Sequence, residues 1–201
     1  MNKSEVVLID YGVGNLMSIK RALEYCGANV VVTSDKQIIL EAKRVILPGV
    51  GAYKFAMSSL KDLDLIDSIV QLANNNVPLL GICLGMQLLF DESDEFEITK
   101  GLGLISGRVT SIKNLTSSGT IQKIPHIGWT SLHKPDVLTN WEDTLLSDYQ
   151  PNMDAYFLHS YVAVPAILKN KIADFFYGGY NLTAMVSKDK ITGCQFHREK
   201  S

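Results

Sequence analysis

A cysteine at the junction of an apolar strand and a helix is the clearest candidate for chemistry in this sequence. Cys83 follows the apolar run 78–82 and precedes a helical pattern, with Gly81 and Gly85 two residues to either side. A tight strand-to-helix turn strains the backbone at a nucleophile, and side chains two positions away would collide with neighbouring backbone. The nearby helix N-terminus favours thiolate over thiol. The pattern favours a nucleophilic cysteine, although a buried packing cysteine also fits these residues.

A histidine and a glutamate near the C-terminus could complete such a site. A cysteine nucleophile needs a base, and the base needs a group that orients it. His197 follows the predicted strand 191–196, and Glu199 lies two residues further on. A histidine close to a glutamate is common on surface loops, so this pair alone indicates little. Together with Cys83, the pair predicts a Cys-His-Glu triad.

The remaining cysteines and histidines follow no disulfide or metal-binding pattern. The chain has no CxxC pair, and Cys26 and Cys194 are predicted to pack in a helix and a strand. His126, His133 and His159 share no spacing typical of metal ligands. We therefore expect neither a disulfide framework nor a metal site.

Length and composition favour a single cytosolic domain that acts on a small molecule. A chain of 201 residues, 46% of them apolar, is long enough to bury one substantial core. The 19 basic and 21 acidic residues leave no charge excess that would favour nucleic acid or anionic lipid. The N-terminal apolar stretch 6–9 is too short for a signal peptide or a membrane span.

A glycine-rich turn near the N-terminus differs from a dinucleotide-binding motif. Gly12 and Gly14 follow a predicted strand, but Met17 stands where the third glycine of GxGxxG would fall. The sequence therefore predicts no nicotinamide or flavin cofactor.

Strands and helices alternate in the first ninety residues, which indicates an α/β fold with a parallel sheet covered on both faces. The second half is richer in strands. The predicted strands are 6–9, 30–33, 44–47, 78–82, 104–112, 124–132, 156–164, 172–176, 182–186 and 191–196, and the predicted helices are 16–26, 52–75 and 84–90. We interpret residues 1–201 as one domain with a mixed sheet.

Six short runs together resemble one known family. They are IDYGVGN at 9–15, ILPGVGAY at 46–53, GICLGMQLLF at 81–90, PHIGW at 125–129, YFLHSY at 156–161 and GCQFHREKS at 193–201. In this order they resemble the glutaminase subunits of imidazole glycerol phosphate synthases, which are class I glutamine amidotransferases. The resemblance spans nearly the whole chain. It implies a flavodoxin-like fold, with a mostly parallel central sheet flanked by helices and an added antiparallel strand region.

The resemblance also implies roles for individual residues. Cys83 would form a glutamyl thioester, His197 would act as acid and base, and Glu199 would hold the imidazole. The predicted oxyanion hole is made by the backbone of Gly49, Val50, Gly51 and Leu84, and the predicted glutamine-binding residues are Gln87, His159, Ser160 and Tyr161. Trp129 would lie near the face that meets the synthase subunit, although a core aromatic is an equal alternative.

The resemblance implies glutamine as substrate and a cyclase subunit, built as a (β/α)₈ barrel, as partner in a heterodimer. Ammonia would pass to that subunit, which makes imidazole glycerol phosphate and an aminoimidazole carboxamide ribotide in histidine biosynthesis. No cofactor is implied. Two alternatives remain open: a paralogue that supplies ammonia to a sugar-amidating synthase of surface-glycan biosynthesis, and a weakly catalytic subunit that mainly binds its partner.

The sequence departs from the family pattern at three places. Arg198 replaces the usual proline between His197 and Glu199, which loosens the segment and adds a cation beside the carboxylate. Thr130 and Ser131 follow Trp129 where an asparagine is usual, and the family normally continues beyond the position of Ser201. We expect slower glutamine hydrolysis rather than none.

Overall fold

The computed structural model describes residues 5–138, 140–149 and 154–197. In chain order, the strands of this part are β1 (Glu5–Ile9), β2 (Asn29–Thr33), β3 (Val45–Leu47), β4 (Leu79–Ile82), β5 (Phe90–Ser93), β6 (Thr99–Lys100), β7 (Ile105–Ser111), β8 (His126–Ser131), β9 (Asp154–His159), β10 (Tyr161–Pro165), β11 (Lys171–Tyr177), β12 (Tyr180–Lys188) and β13 (Ile191–Cys194). The helices are α1 (Leu16–Tyr25), α2 (Lys36–Leu40), α3 (Tyr53–Asp62), α4 (Ile66–Asn74), α5 (Leu84–Leu88) and a 3₁₀ turn at Leu168–Asn170. None of these helices is long and apolar enough to cross a membrane.

The central sheet has seven strands in the order β11-β12-β13-β4-β3-β1-β2. Strands β2, β1, β3, β4 and β13 run parallel to one another, and β12 and β11 continue the sheet as antiparallel strands. This arrangement confirms the predicted α/β class, the mostly parallel sheet and the added antiparallel region.

Both faces of the central sheet are buried, which explains its apolar sequence. Along β1, Val7 and Ile9 pack with α2, α3 and α4, whereas Val6 and Leu8 face the opposite core with Ile19 of α1. Successive side chains of a strand point to opposite faces, so the buried part of a strand covered on both sides is a continuous apolar run, as residues 6–9 are in β1.

The six described strands outside the central sheet form two smaller sheets. One has the order β10-β7-β5-β6, and the other is the antiparallel pair β8-β9. The predicted strand 156–164 is therefore wrong as a single element: β9 pairs with β8, β10 pairs with β7, and Ser160 lies at the change of sheet. An uninterrupted run of β-forming residues does not indicate that its two halves pair with different sheets.

Two predicted helices are too long. The predicted helix 52–75 is divided into α3 and α4, because Asp64 adopts a left-handed conformation with φ 54° and the Leu65 N–H returns to the Leu60 carbonyl. The predicted helix 84–90 ends at Leu88. The Leu102 N–H donates a hydrogen bond to the Leu88 carbonyl at 2.9 Å. Strand β5 begins two residues after Leu88, at Phe90.

Cys26, which is predicted to pack in a helix, is exposed, and so is Trp129, for which a core position is one of two equal alternatives. Cys26 is the C-cap residue of α1 and is exposed, so the prediction that it packs in the helix is wrong. Trp129 on β8 is 55% exposed, so the alternative of a core aromatic is wrong for this residue. Cys194 on β13 is completely buried, as its strand position predicts.

Candidate active site

The elbow at Cys83 has the predicted strained backbone. Strand β4 ends at Ile82, helix α5 begins at Leu84, and Cys83 between them has φ 54° and ψ −113°. A positive φ is uncommon outside glycine and is retained where the surrounding structure enforces it, often at functional sites. The Cys83 N–H donates to the Cys194 carbonyl of β13 at 2.8 Å, which fixes the elbow to the neighbouring strand.

The two glycines that flank Cys83 have no room for a side chain. A Cβ on Gly81 would lie 2.6 Å from the Gly85 carbonyl oxygen, and a Cβ on Gly85 would overlap the carbonyl of Leu47 on β3. The steric reason predicted for these glycines is thus present, and it extends to the adjacent strand.

Most of the predicted site residues line one cavity of about 280 Å³. The cavity lies at the carboxyl ends of β3, β4 and β13, where parallel α/β sheets commonly bind their ligands. Its lining residues are Val50, Gly51, Cys83, Leu84, Gln87, Glu95, Pro125, Leu158, His159, Ser160, Tyr161 and His197. The fold therefore brings together residues separated by more than a hundred positions in the sequence.

His197 reaches this cavity because β13 runs parallel to β4. Cys194 lies opposite Ile82 in the register, so the chain leaving β13 passes close to the elbow. The His197 N–H donates to the Tyr156 carbonyl at 2.9 Å, and the residue is buried. Glu199, the third predicted member of the triad, lies outside the described residues, as does Arg198. Its role stays a prediction.

The predicted oxyanion residues have an internal hydrogen bond in this conformation. The Leu84 N–H donates to the Gly49 carbonyl at 3.3 Å, so an oxyanion would have to displace or share that bond. Val50 and Gly51 line the cavity, whereas Gly49 does not. Gly49 packs closely against Tyr11, because a Cβ on Gly49 would lie 2.7 Å from the Tyr11 hydroxyl oxygen.

Tyr11 fixes the loop that carries these residues. Its hydroxyl is buried and donates to the Pro48 carbonyl at 2.6 Å. Burial raises the pKa of the Tyr11 phenol, and the nearby Cys83 raises it further. The Tyr11 phenol therefore stays neutral and keeps donating its hydrogen bond to the Pro48 carbonyl.

Two of the predicted glutamine-binding side chains, Gln87 and His159, contact the carbonyl oxygen of Tyr161. Gln87 Nε2 donates to that oxygen at 3.2 Å, and His159 Nδ1 lies 2.7 Å from it. A carbonyl only accepts, so Nδ1 of His159 carries the proton and Nε2 is the lone-pair nitrogen. These two side chains thus hold the segment that lines the cavity, and their contact with glutamine stays a prediction.

Glu95 is a lining residue that sequence reasoning missed. It lies in the turn between β5 and β6, and its Oε2 accepts the N–H of Tyr53, the first residue of α3, at 2.6 Å. Among the lining residues in the described ranges, Glu95 alone carries a carboxylate. No spacing rule links it to Cys83, so the sequence held no signal for it.

Burial of His159 predicts a pH dependence of stability. Desolvation lowers the pKa of His159 to about 4, assisted by nearby His126 and His197 and opposed by the bond to Tyr161. The unfolded chain takes up this proton below a pH of about 6.5 while the folded chain does not, so the free energy of unfolding falls as the pH drops. We expect His159→Gln to remove about 2 kcal/mol of the stability difference between pH 7 and pH 5.

Urea unfolding at the two pH values measures this effect. The exposed His133 provides the control, and His133→Gln should keep the wild-type difference. An unchanged difference in His159→Gln would show that His159 is not the group responsible.

Comparison with known proteins identifies the class. The chain belongs to the class I glutamine amidotransferases, whose family model, described as "Glutamine amidotransferase class-I", matches residues 7–201. A crystal structure of a glutamine amidotransferase superposes with a TM-score of 0.68 at 17% identity, covering 97% of this chain and 91% of that one. PurLQS from Thermotoga maritima gives a TM-score of 0.66 at 20% identity, covering 98% and 88%. At these identities the likeness concerns the fold alone.

Within that class, the chain belongs to the imidazole glycerol phosphate synthase HisH subunits. It is 43% identical over 198 residues to subunit HisH 1 of Legionella pneumophila (strain Lens), covering 98% of this chain and 93% of that protein. It is 43% identical to the HisH subunit of Geobacillus sp. (strain WCH70), covering 96% and 89%, and 40% identical to that of Bacillus cereus (strain ATCC 14579), covering 98% and 88%. The family predicted from the six sequence runs is confirmed.

Metal binding has no support in the geometry of the described ranges. No group of three or more histidine, cysteine, aspartate or glutamate side chains there could hold an ion.

Proposed function

We propose that this chain is the glutaminase subunit of an imidazole glycerol phosphate synthase and supplies ammonia to a cyclase subunit in histidine biosynthesis. The observation that carries the proposal is the strained Cys83 elbow lining the same cavity as His197. The identity of at least 40% to HisH subunits over nearly the whole chain supports the choice of pathway.

In the proposed reaction His197 first takes the thiol proton of Cys83, and Cys83 Sγ then attacks the side-chain carboxamide carbon of glutamine. The negative charge that develops on the oxygen would be stabilised by backbone N–H groups of Val50 and Leu84, once the bond from Leu84 to Gly49 opens. His197 then gives a proton to the departing nitrogen, the C–N bond breaks, and ammonia leaves a glutamyl thioester.

Water completes the proposed cycle. His197 takes a proton from water, and the hydroxide adds to the thioester carbon. The C–S bond then breaks to release glutamate, and His197 returns its proton to the Cys83 sulfur. Glu199 would orient the His197 imidazole, as the sequence predicts. Each turnover converts glutamine and water into glutamate and ammonia.

Glu95 gives the cavity a negative charge suited to the α-ammonium group of glutamine. Glu95→Gln keeps an oxygen that can accept the Tyr53 N–H but removes the charge. A lost charge-assisted bond is worth about 1.5–3 kcal/mol, so we expect the KM for glutamine to rise about tenfold or more while kcat changes less.

Steady-state kinetics test this prediction. Glu97→Gln is the matched control, because Glu97 lies two residues away, is exposed and pairs with Lys54. An unchanged KM in Glu95→Gln, or an equal rise in both variants, would contradict this role of Glu95.

A partner subunit is part of the proposal because free ammonia is protonated and lost in bulk water. We propose a cyclase subunit, built as a (β/α)₈ barrel, as the partner in a heterodimer. The exposed Trp129 on β8 offers a large aromatic contact of the kind enriched at protein interfaces.

Glutamate release by the chain alone and with the cyclase subunit from the same genome tests the proposal. The cyclase and its nucleotide ligand are expected to raise the rate of glutamate release at least about tenfold, because binding of the partner subunit would close the glutamine site and complete its catalytic arrangement. No increase with that cyclase would contradict the proposed pathway, provided that Arg198→Pro also fails to respond. A response only in Arg198→Pro would instead identify Arg198 as the cause.

A further inference from the structure

Gln195 is a completely buried amide beside the reactive cysteine that does not line the cavity. It lies just after β13 and two residues before His197. Its N–H donates to the Ala184 carbonyl of β12 at 2.8 Å, which fixes the backbone. A buried amide side chain costs free energy unless its polar atoms are paired, so its partners are informative.

Both ends of the Gln195 amide have partners in the site. Oε1 accepts a hydrogen bond from Gln87 Nε2 at 2.9 Å. Nε2 lies 3.7 Å from Cys83 Sγ, within hydrogen-bonding distance for sulfur. The amide therefore links Gln87, whose side chain also holds the Tyr161 carbonyl, to the sulfur atom.

The Tyr161 carbonyl determines which amide atoms in these hydrogen bonds are donors and which are acceptors. The Tyr161 carbonyl only accepts, so the Gln87 atom that faces it must be the NH₂ nitrogen. The same nitrogen faces Gln195, so Gln195 must present its oxygen there and its own NH₂ group to Cys83. The sulfur atom therefore receives a donor.

We propose that Gln195 is a positioning residue, whose amide N–H holds Cys83 Sγ in place and stabilises its thiolate form. The proposal rests on the proposed function only in treating Cys83 as the nucleophile. A thiol sulfur accepts such a bond weakly, whereas a thiolate accepts it with the added strength of charge. Gln195 therefore favours the reactive form of Cys83 and aligns it, while Gln87 and Tyr161 hold the amide in the required orientation.

The rate of Cys83 alkylation by iodoacetamide, followed by mass spectrometry of each cysteine peptide, tests the proposal without glutamine or a partner. Gln195→Met fills a similar volume but has no N–H donor. We expect Cys83 to react about tenfold to a hundredfold more slowly at pH 7, with the difference shrinking at alkaline pH as the thiolate forms anyway. A wild-type rate and pH profile in Gln195→Met would overturn the proposal.

The other two cysteines report on the fold within the same sample. Exposed Cys26 should react at its wild-type rate, and buried Cys194 should stay unmodified. If Cys194 becomes reactive in Gln195→Met, Gln195→Glu carries the test, because it keeps the shape and replaces the NH₂ group with oxygen. It should slow Cys83 at least as much, and a wild-type rate would overturn the proposal.

The wild-type protein provides a measurement that requires no change at Gln195. The side-chain amide resonances of Gln195 should shift as Cys83 ionises and stay constant over the same pH range in Cys83→Ala. Resonances that do not respond to the state of Cys83 would overturn the proposal. This result is independent of glutaminase activity, so it separates failure of the positioning role from failure of the proposed function.

Discussion

Replacing Cys83 with alanine is expected to reduce glutamate release by at least about 10³-fold, even with the cyclase subunit present. Alanine removes the sulfur that would attack the carboxamide and leaves the chain without another nucleophile at the elbow. The backbone should be retained, since the bond from the residue 83 N–H to the Cys194 carbonyl does not involve the side chain. Glutamate release by the wild type and the variant measures the effect.

The other cysteines provide matched controls. Cys26 is exposed at the end of α1, and Cys194 is buried with its Sγ 3.7 Å from the Phe196 carbonyl oxygen. Cys26→Ala should keep full activity. Cys194→Ala should keep activity within a few-fold and lose about 1 kcal/mol of stability through the small cavity it creates. Activity retained in Cys83→Ala would contradict the nucleophile assignment.

Replacing Gly85 with alanine is expected to destabilise the folded protein. A Cβ added there would overlap the Leu47 carbonyl, which is backbone of β3 and has no rotamer with which to move away. Gly85→Ala is therefore expected to lower the free energy of unfolding by about 3 kcal/mol or more, because α5 must shift away from β3.

Gly119→Ala is the matched control for the same added methyl group. Gly119 has φ +83°, and no atom lies within 4 Å of the position that its Cβ would take, so the change costs only the left-handed conformation, about 1 kcal/mol. Urea unfolding of both variants separates overlap from conformational strain. Equal losses in the two variants would contradict the steric account of Gly85.

The elements closest to Cys83 could be predicted from the sequence because their signals are local. An apolar run ending at a cysteine between two glycines indicates a strand, a strained turn and a helix, and the structure contains β4, the positive φ at Cys83 and α5. The burial of both faces of β1 likewise follows from its uninterrupted apolar residues.

The features that were missed depend on tertiary contacts. Residues 156–164 have the pattern of one strand, and only the positions of β7 and β8 determine that the chain changes sheet at Ser160. Glu95 enters the cavity because the turn after β5 packs against the start of α3, a contact between residues 42 positions apart.

Single hydrogen bonds in the predicted oxyanion loop also depend on tertiary contacts that the sequence does not show. The sequence identifies Gly49 and Leu84 by their family pattern, but it contains no information on whether the Leu84 N–H is free. In the structure this N–H donates to the Gly49 carbonyl at 3.3 Å, and Tyr11 holds the neighbouring Pro48 carbonyl. Such pairings are set by distances of tenths of an ångström that no sequence pattern encodes.

Mass spectrometry of the chain, quenched in acid during turnover with glutamine and the cyclase subunit, tests whether Cys83 forms the glutamyl thioester. We expect a glutamyl group on the peptide that contains Cys83, lost on treatment with hydroxylamine and absent from Cys83→Ala. Glutamate release at the wild-type rate by Cys83→Ala, with no glutamyl group on any cysteine peptide of either protein, would contradict this expectation.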